Sequence, residues 1–139
     1  MSTKIINVIV LLRPTSPLRE KNLIIKGLEL LNKNKLATSI RTVKTSTENP
    51  YRQWIKKDKY IFGYENEKDE PYNIPRQKIP ITYFQTGDLE IIRRKTLIDG
   101  SVSGEKVLPL YVDNEIICDI DKKDDLKKAE EIIRSQNFE

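Results

Sequence analysis

The sequence predicts an α/β protein, on three observations. Residues 5–12 form an almost continuous apolar, β-branched run, typical of a strand buried on both faces. A helix with one apolar face follows, its stripe running from Leu23 to Leu31. Residues 37–45 alternate and are rich in threonine and β-branched residues, as a second strand is. Strand, helix and strand make a βαβ unit, which predicts a right-handed crossover and a parallel pair.

The pattern changes between residues 50 and 80, where short apolar islands alternate with charged residues and three prolines follow. This pattern predicts an excursion with short strands within a single domain of residues 1–139. Exposed aromatic residues on such an excursion indicate contact with a partner subunit. A cluster packed on its own domain is the alternative, and the sequence leaves both open.

Three further strands and a final helix complete the predicted architecture. The strands are expected at 81–92, with an interruption at Thr86-Gly87-Asp88, at 107–112 and at 115–120. The helix is expected over 121–136, with Asp121 as its N-cap. Its predicted buried stripe consists of Leu126, Ala129, Ile132 and Ile133.

Composition excludes several classes of protein. The 139 residues include no histidine, which excludes a Ser-His-Asp hydrolase within this chain. The single cysteine, Cys118, excludes an internal disulfide and a cysteine-based zinc cluster. Any metal must therefore bind carboxylates, carbonyls and water, which favours Mg²⁺. No apolar run approaches the ~20 residues of a membrane span, and no secretory signal is evident, so we expect a cytoplasmic protein without a membrane partner.

The net charge of +4 raises the question of whether the chain binds nucleic acid. Lysines are interleaved with acids, as around Asp58, which is typical of a solvated face. We therefore expect no nucleic-acid partner, and a small RNA-binding domain is the least favoured alternative. A basic excess also suits a phosphorylated substrate.

Two local patterns carry potential chemistry. The predicted strand of residues 5–12 runs into the loop Arg13–Arg19, where two prolines flank Thr15 and Ser16. The hydroxyls of Thr15 and Ser16 can donate to a ligand that binds beyond the end of the strand. The alternative is that they cap the following helix. Asp119 and Asp121 would lie on one side of a strand, where two carboxylates can share Mg²⁺. The alternative there is a helix N-cap beside a solvated acid.

These two motifs resemble those of the acylneuraminate cytidylyltransferase (CMP-sialic acid synthetase) family. Leu11–Arg19 is similar to the family's leucine-leucine-glutamine-proline-threonine-serine-proline-leucine-arginine loop, with Arg13 in the glutamine's place. Asp119 and Asp121 resemble its Asp-x-Asp motif, followed on a helix by Asp-Leu and Ala-Glu. Between them, an arginine-glutamine pair, a proline and a residue-glycine step also match in order: Arg76-Gln77, Pro80 and Thr86-Gly87.

The resemblance implies a fold and an activity. Enzymes of this family transfer CMP from CTP to sialic acid or a related sugar and release pyrophosphate. The reaction uses Mg²⁺. The family's fold is a Rossmann-like sheet of the nucleotide-diphospho-sugar transferase type, and a protruding segment, here 50–80, pairs with a second subunit as a homodimer. By resemblance Asp119 and Asp121 would hold Mg²⁺ and act in catalysis. The implied sugar-binding residues are Arg13, Thr15, Ser16, Arg19, Arg76, Gln77, Thr86 and Gly87.

The sequence departs from the family pattern at positions that bear on the CTP site and on the identity of the sugar. The glycine- and lysine-rich loop that binds CTP should precede the first strand by a long stretch, so we expect this chain alone to lack most of its CTP site. Phe84, Thr86 and Glu90 replace an arginine, an asparagine and a pocket tyrosine. These changes leave the identity of the sugar open. The alternative function is a non-catalytic sugar-binding or dimerisation module of the same fold.

Overall fold

The computed structural model describes residues 6–65, 70–112 and 119–136. Across these ranges the chain is a mixed α/β protein. Its strands and α-helices are, in chain order, β1 (Val8–Leu11), α1 (Leu23–Lys33), β2 (Ser39–Thr45), β3 (Trp54–Lys57), β4 (Tyr60–Gly63), β5 (Tyr83–Arg93), α2 (Arg94–Ile98), β6 (Val107–Tyr111) and α3 (Lys123–Gln136).

The larger sheet is mixed, with strand order β1-β5-β2-β6. β1 pairs antiparallel with β5, Val8 opposite Arg93 and Leu11 opposite Glu90, while β2 and β6 are parallel. Between β5 and β2, Arg93 N donates to Thr38 O at 3.1 Å and Leu89 N to Thr42 Oγ1 at 3.2 Å. Residue numbers rise along β2 as they fall along β5, so this pair is antiparallel.

The expected parallel pair of β1 and β2 is therefore wrong, because β5 lies between them. The two strands run in the same direction but share no ladder. The long strand β5 is buried from Thr86 to Ile92, whereas Val10 and Leu11 of β1 are exposed. The strand predicted to be central from its composition thus lies at the end of the described sheet.

The hydrophobic core lies where α1 covers one face of the sheet. Leu23, Gly27 and Leu31 are the buried helix positions, one turn apart, as the apolar stripe predicted. They face Leu89 and Ile91 of β5, and a Cβ at Gly27 would lie 2.6 Å from Ile91 Cδ1. The absence of a side chain at Gly27 therefore sets how closely the helix approaches the sheet.

An arginine of β5 closes the C-terminal end of α1. Arg93 Nη2 donates to Leu31 O at 2.7 Å and its Nε donates to Ala37 O at 2.7 Å. Asn34, just after the helix, donates through Nδ2 to Leu30 O at 2.8 Å. These bonds satisfy carbonyls that a helix end leaves without intrahelical partners, and the positive charge suits the negative end of the helix dipole.

The chain divides into two compact units. One comprises Met1–Val43 with Gln85–Glu139, and the other is Lys44–Phe84, which contains the predicted excursion of residues 50–80. In the second unit, β3 and β4 form a two-stranded antiparallel hairpin. Trp54 packs against Tyr72 with ring centroids 4.4 Å apart.

The last helix begins at Lys123 rather than Asp121. Asp125 Oδ2 accepts from the backbone N–H of Lys122 at 3.0 Å, so Asp125 and not Asp121 supplies the capping carboxylate. Of the predicted buried stripe, Ala129 is buried while Leu126 and Ile133 are exposed. Across the described residues, no helix combines the length and apolar character needed to cross a membrane.

Candidate functional site

Three segments that are distant in sequence meet beyond the C-terminal end of β1. Ile120 N donates to Thr15 O at 2.9 Å, which joins the Asp119-Ile120-Asp121 segment to the proline loop. The same loop contacts β5, where a Cβ on Gly87 would lie 3.4 Å from Arg13 Cδ and 3.8 Å from Ser16 Oγ. The proline loop therefore lies next to both the Thr86-Gly87 step and the paired aspartates.

Gly87 is required at this step by its backbone conformation. Its φ of +76° is one that side-chain-bearing residues rarely adopt, so a side chain here would be strained, although its Cβ would make only ordinary contacts with Arg13 and Ser16. The interruption expected at Thr86-Gly87-Asp88 is not a break, since β5 is continuous from Tyr83 to Arg93. The turn-like sequence instead provides a local change of backbone direction within a strand.

A buried carboxylate shared by two arginines lies beside this junction. Glu90, 3% exposed, accepts from Arg13 Nη2 at 2.8 Å and pairs with Arg41 Nη1 at 3.0 Å, both through Oε1. Arg41 is itself held by Ser103, whose Oγ accepts from Nη2 at 2.7 Å. We name Arg13, Arg41 and Glu90 the arginine–glutamate cluster. Two cations around one anion give it a local excess of positive charge.

Arg13 and Arg41 differ in what they present to a ligand. The Arg13 side chain is half exposed, whereas Arg41 is largely covered. Glu90 therefore orients the Arg13 guanidinium without enclosing it, and an arginine fork of this kind suits a carboxylate or a phosphate.

Arg19 holds the loop in place through backbone contacts. Its Nε donates to Asp88 O at 2.8 Å and its Nη2 donates to Arg13 O at 2.5 Å. Both contacts go to main-chain carbonyls, so Arg19 connects the proline loop to β5. The following helix begins only at Leu23, beyond Arg19, so its N-terminus does not follow directly on Thr15 and Ser16.

Asp119 and Asp121 are both exposed and lie in a segment without strand structure. The expectation that they alternate along a strand is therefore wrong for these two residues. The rest of the predicted strand, 115–118, lies outside the described residues. Mg²⁺ is commonly held by one or two carboxylates, with water and substrate phosphates completing its ligands. Two accessible carboxylates next to the Thr15 loop fit that requirement. Within the described ranges, no group of three or more acidic or cysteine side chains is placed to hold a metal ion.

Arg76 and Gln77 belong to the second unit, where they begin a short 3₁₀ turn, Arg76–Lys78, and are exposed. Arg76 lines a cleft of that unit together with Glu48 and Arg52.

Sequence reasoning did not predict the roles of Arg41 and Asp88. Both carried a signal, since a charged residue within an apolar, alternating strand is rare unless it is paired or functional. Asp88 is 2% exposed, and in the part of the chain that the structure describes its Oδ2 has no hydrogen-bond partner. The hydroxyl of Thr86, two residues earlier, is likewise buried and has no partner among the described residues. Glu90 was noted only as a departure from a family pattern, although it is the centre of the cluster.

Comparison with models of known protein families finds no family that matches this chain, and comparison with curated proteins finds no significant match. The site therefore has to be interpreted from its own geometry.

Proposed function

We propose that this chain provides the sugar-binding side of a cytidylyltransferase active site. The proposed reaction transfers CMP from CTP to a sialic-acid-like or related sugar and releases pyrophosphate. The observation that supports it most is the meeting of the proline loop, the Thr86-Gly87 step and the Asp119–Asp121 segment at one place. These are the motifs on which the resemblance to the acylneuraminate cytidylyltransferases rests, and the fold proposed with it is the Rossmann-like type of that family.

Each element of the site has a role in this proposal. Arg13 binds an acidic group of the sugar or a phosphate, oriented by Glu90. Thr15, exposed on the loop, donates its hydroxyl to the ligand, while the buried Ser16 packs the loop against Gly87. Arg19 positions the loop through Asp88 O. When bound by Asp119 and Asp121, Mg²⁺ would neutralise phosphate charge.

Loss of one metal-binding carboxylate tests the enzymatic proposal. When the chain is mixed with a polypeptide that carries a glycine- and lysine-rich CTP-binding loop, we expect pyrophosphate release from CTP in the presence of Mg²⁺ and an acidic sugar. Asp119→Ala should lower its rate at least tenfold, on the order of the loss that weakened metal binding produces. Asp124→Ala is the matched control, because Asp124 is an exposed acid in the first turn of α3. Equal rates in both variants, or no release with any sugar, would contradict the enzymatic proposal.

A dimerisation role is supported by a separate observation, the apolar hairpin of the second unit. Ile55 lies opposite Phe62 on one face of the hairpin, and Ile61 lies on the other face beside Trp54. All four side chains are exposed by two-fifths or more. An isolated two-stranded hairpin is marginally stable in water, so apolar side chains on both faces favour a covering partner. We propose that a second copy of the chain covers it, as in a homodimer.

Charge placed on the hairpin tests this contact. We expect the unaltered chain to sediment as a dimer, and Ile55→Lys with Phe62→Lys to sediment as a monomer, because two lysines would have to be buried unpaired at the interface. Lys56→Ala with Lys57→Ala, on the same strand, is the control that alters charge without adding it to an apolar face. A monomer for the unaltered chain at all concentrations would refute the homodimer.

A further inference from the structure

The most unusual buried group of the first unit is the side chain of Asp88. It is 2% exposed, and its Oδ2 accepts no hydrogen bond from residues 6–65, 70–112 or 119–136. Within the same ranges, the Thr86 hydroxyl on this strand is buried without a partner as well. Buried polar side-chain atoms are hydrogen-bonded in the large majority of cases, so each exception requires a physical explanation.

The neighbouring cations do not compensate Asp88. Arg13 and Arg41 both direct their guanidinium groups to Glu90 Oε1. Arg19 approaches Asp88 closely, but its Nε donates to the main-chain carbonyl and not to the carboxylate. The Asp88 Oδ2 atom is therefore left as an acceptor at the edge of the arginine–glutamate cluster, two positions from Glu90 on the same strand.

The alternation of side chains along β5 places the carboxylates of Asp88 and Glu90 on the same face of the sheet. Asp88 and Glu90 are i and i+2 on β5, so their side chains project from the same face of the sheet. Arg13, Arg41 and Gln85 all donate to one oxygen of Glu90, Oε1, and the other oxygen, Oε2, receives none of these donors. Asp88 Oδ2 is thus a buried acceptor on this face to which none of the described residues donates.

We propose that Asp88 is the specificity-determining acceptor of this site, and that the ligand presents a hydrogen-bond donor, a ring hydroxyl or a protonated amino group, to its Oδ2. An acid group is excluded at this position because it would meet a second buried negative charge. Arg13, half exposed, is left for the acid group of the same ligand. The substrate class is therefore an acidic sugar with a donor group on the side that faces β5. This inference rests on the proposal that the cluster is a sugar site.

Stability provides the first test. If Asp88 has no partner in the protein, Asp88→Asn should leave the urea midpoint unchanged or raise it, since it removes a buried charge. Thr86→Val, which replaces an unpartnered hydroxyl by a methyl group of similar shape, should behave in the same way. A marked fall in the midpoint of both variants would show that these groups have structural partners and would overturn the proposal.

Binding provides the second test, with glucosamine and glucose as probes and the backbone amide shifts of Gly87 and Glu90 as the readout. We expect Asp88→Asn to weaken binding of the donor-bearing probe about tenfold or more, as loss of a charge-assisted hydrogen bond does. A loss confined to glucosamine assigns the donor as an ammonium, and an equal loss for both assigns it as a hydroxyl. Asp99→Asn, an exposed acid paired with Lys95, is the control and should change neither.

Binding that Asp88→Asn leaves unchanged, or the absence of binding of both probes to the unaltered chain, overturns the inference. These results are independent of catalysis, because neither CTP nor Mg²⁺ is present. Probe binding that depends on Asp88, together with no pyrophosphate release, would refute the cytidylyltransferase and retain the sugar site.

Discussion

Gly104→Ala should lower the free energy of unfolding by about 3 kcal/mol or more. The φ of Gly104 is +68°, and a left-handed conformation costs a residue with a side chain roughly 1–2 kcal/mol. Its new Cβ would also lie 2.5 Å from Thr38 Cβ and 2.6 Å from Thr38 Oγ1. Overpacking of this kind typically adds about 1–3 kcal/mol.

Thr38 cannot move away without losing its own bonds. Its Oγ1 donates to Ser103 O at 2.7 Å and accepts from Lys106 N at 3.1 Å, which closes the loop that leads into β6. The added methyl group should therefore also disturb this loop, in which Ser103 accepts a hydrogen bond from Arg41.

Gly100→Ala is the matched control for the Gly104 variant. Gly100 has a similar φ of +84°, but no atom lies within 4 Å of its Cβ position. This variant should lose only the roughly 1–2 kcal/mol of backbone strain. Urea unfolding of the two variants measures the difference, and equal losses would show that the contact with Thr38 has no energetic weight.

Glu90→Leu should be the most damaging change in the arginine–glutamate cluster, with an expected loss of about 3–5 kcal/mol. The reason is that Arg41, whose side chain is 17% exposed, would remain in place with Ser103 Oγ as its one remaining partner among the described residues. Arg13 contributes less to the loss, because its side chain is half exposed and water can solvate it.

Two further variants separate charge from packing at Glu90. Glu105→Leu, at an exposed acid of the same unit, should change stability by no more than about 0.5 kcal/mol. Adding Arg41→Met to Glu90→Leu should restore much of the loss, since a well-packed apolar pair often replaces a buried ion pair without penalty. A double variant as unstable as the sum of the two single variants would contradict this account.

Local signals in the sequence were sufficient for most individual elements. The apolar stripe of α1 is confirmed, with Leu23 and Leu31 buried, because a helical period is set by residues within one segment. The strands β2 and β6 also lie where alternation and β-branching placed them. The meeting of the proline loop with Gly87 joins distant segments, and no local period in the sequence reports it.

The order of strands in the sheet could not be obtained in this way. An apolar run such as residues 8–12 is equally compatible with a central and an end strand, since its pattern reports burial and not neighbours. The insertion of β5 between β1 and β2 depends on which strand buries more surface against α1, and Leu89 and Ile91 decide that from a distant part of the chain.

By itself, the sequence determined the α/β class, the buried face of α1 and the residue types that gather at the site, because these depend on local periodicity and on side-chain chemistry. Only the tertiary structure decided that Glu90 is shared by Arg13 and Arg41 and that Asp88 Oδ2 is buried without a partner among the described residues. Both facts depend on contacts between residues far apart in the chain. Such contacts form only when strands from separate segments pack side by side and exclude water from the charges between them.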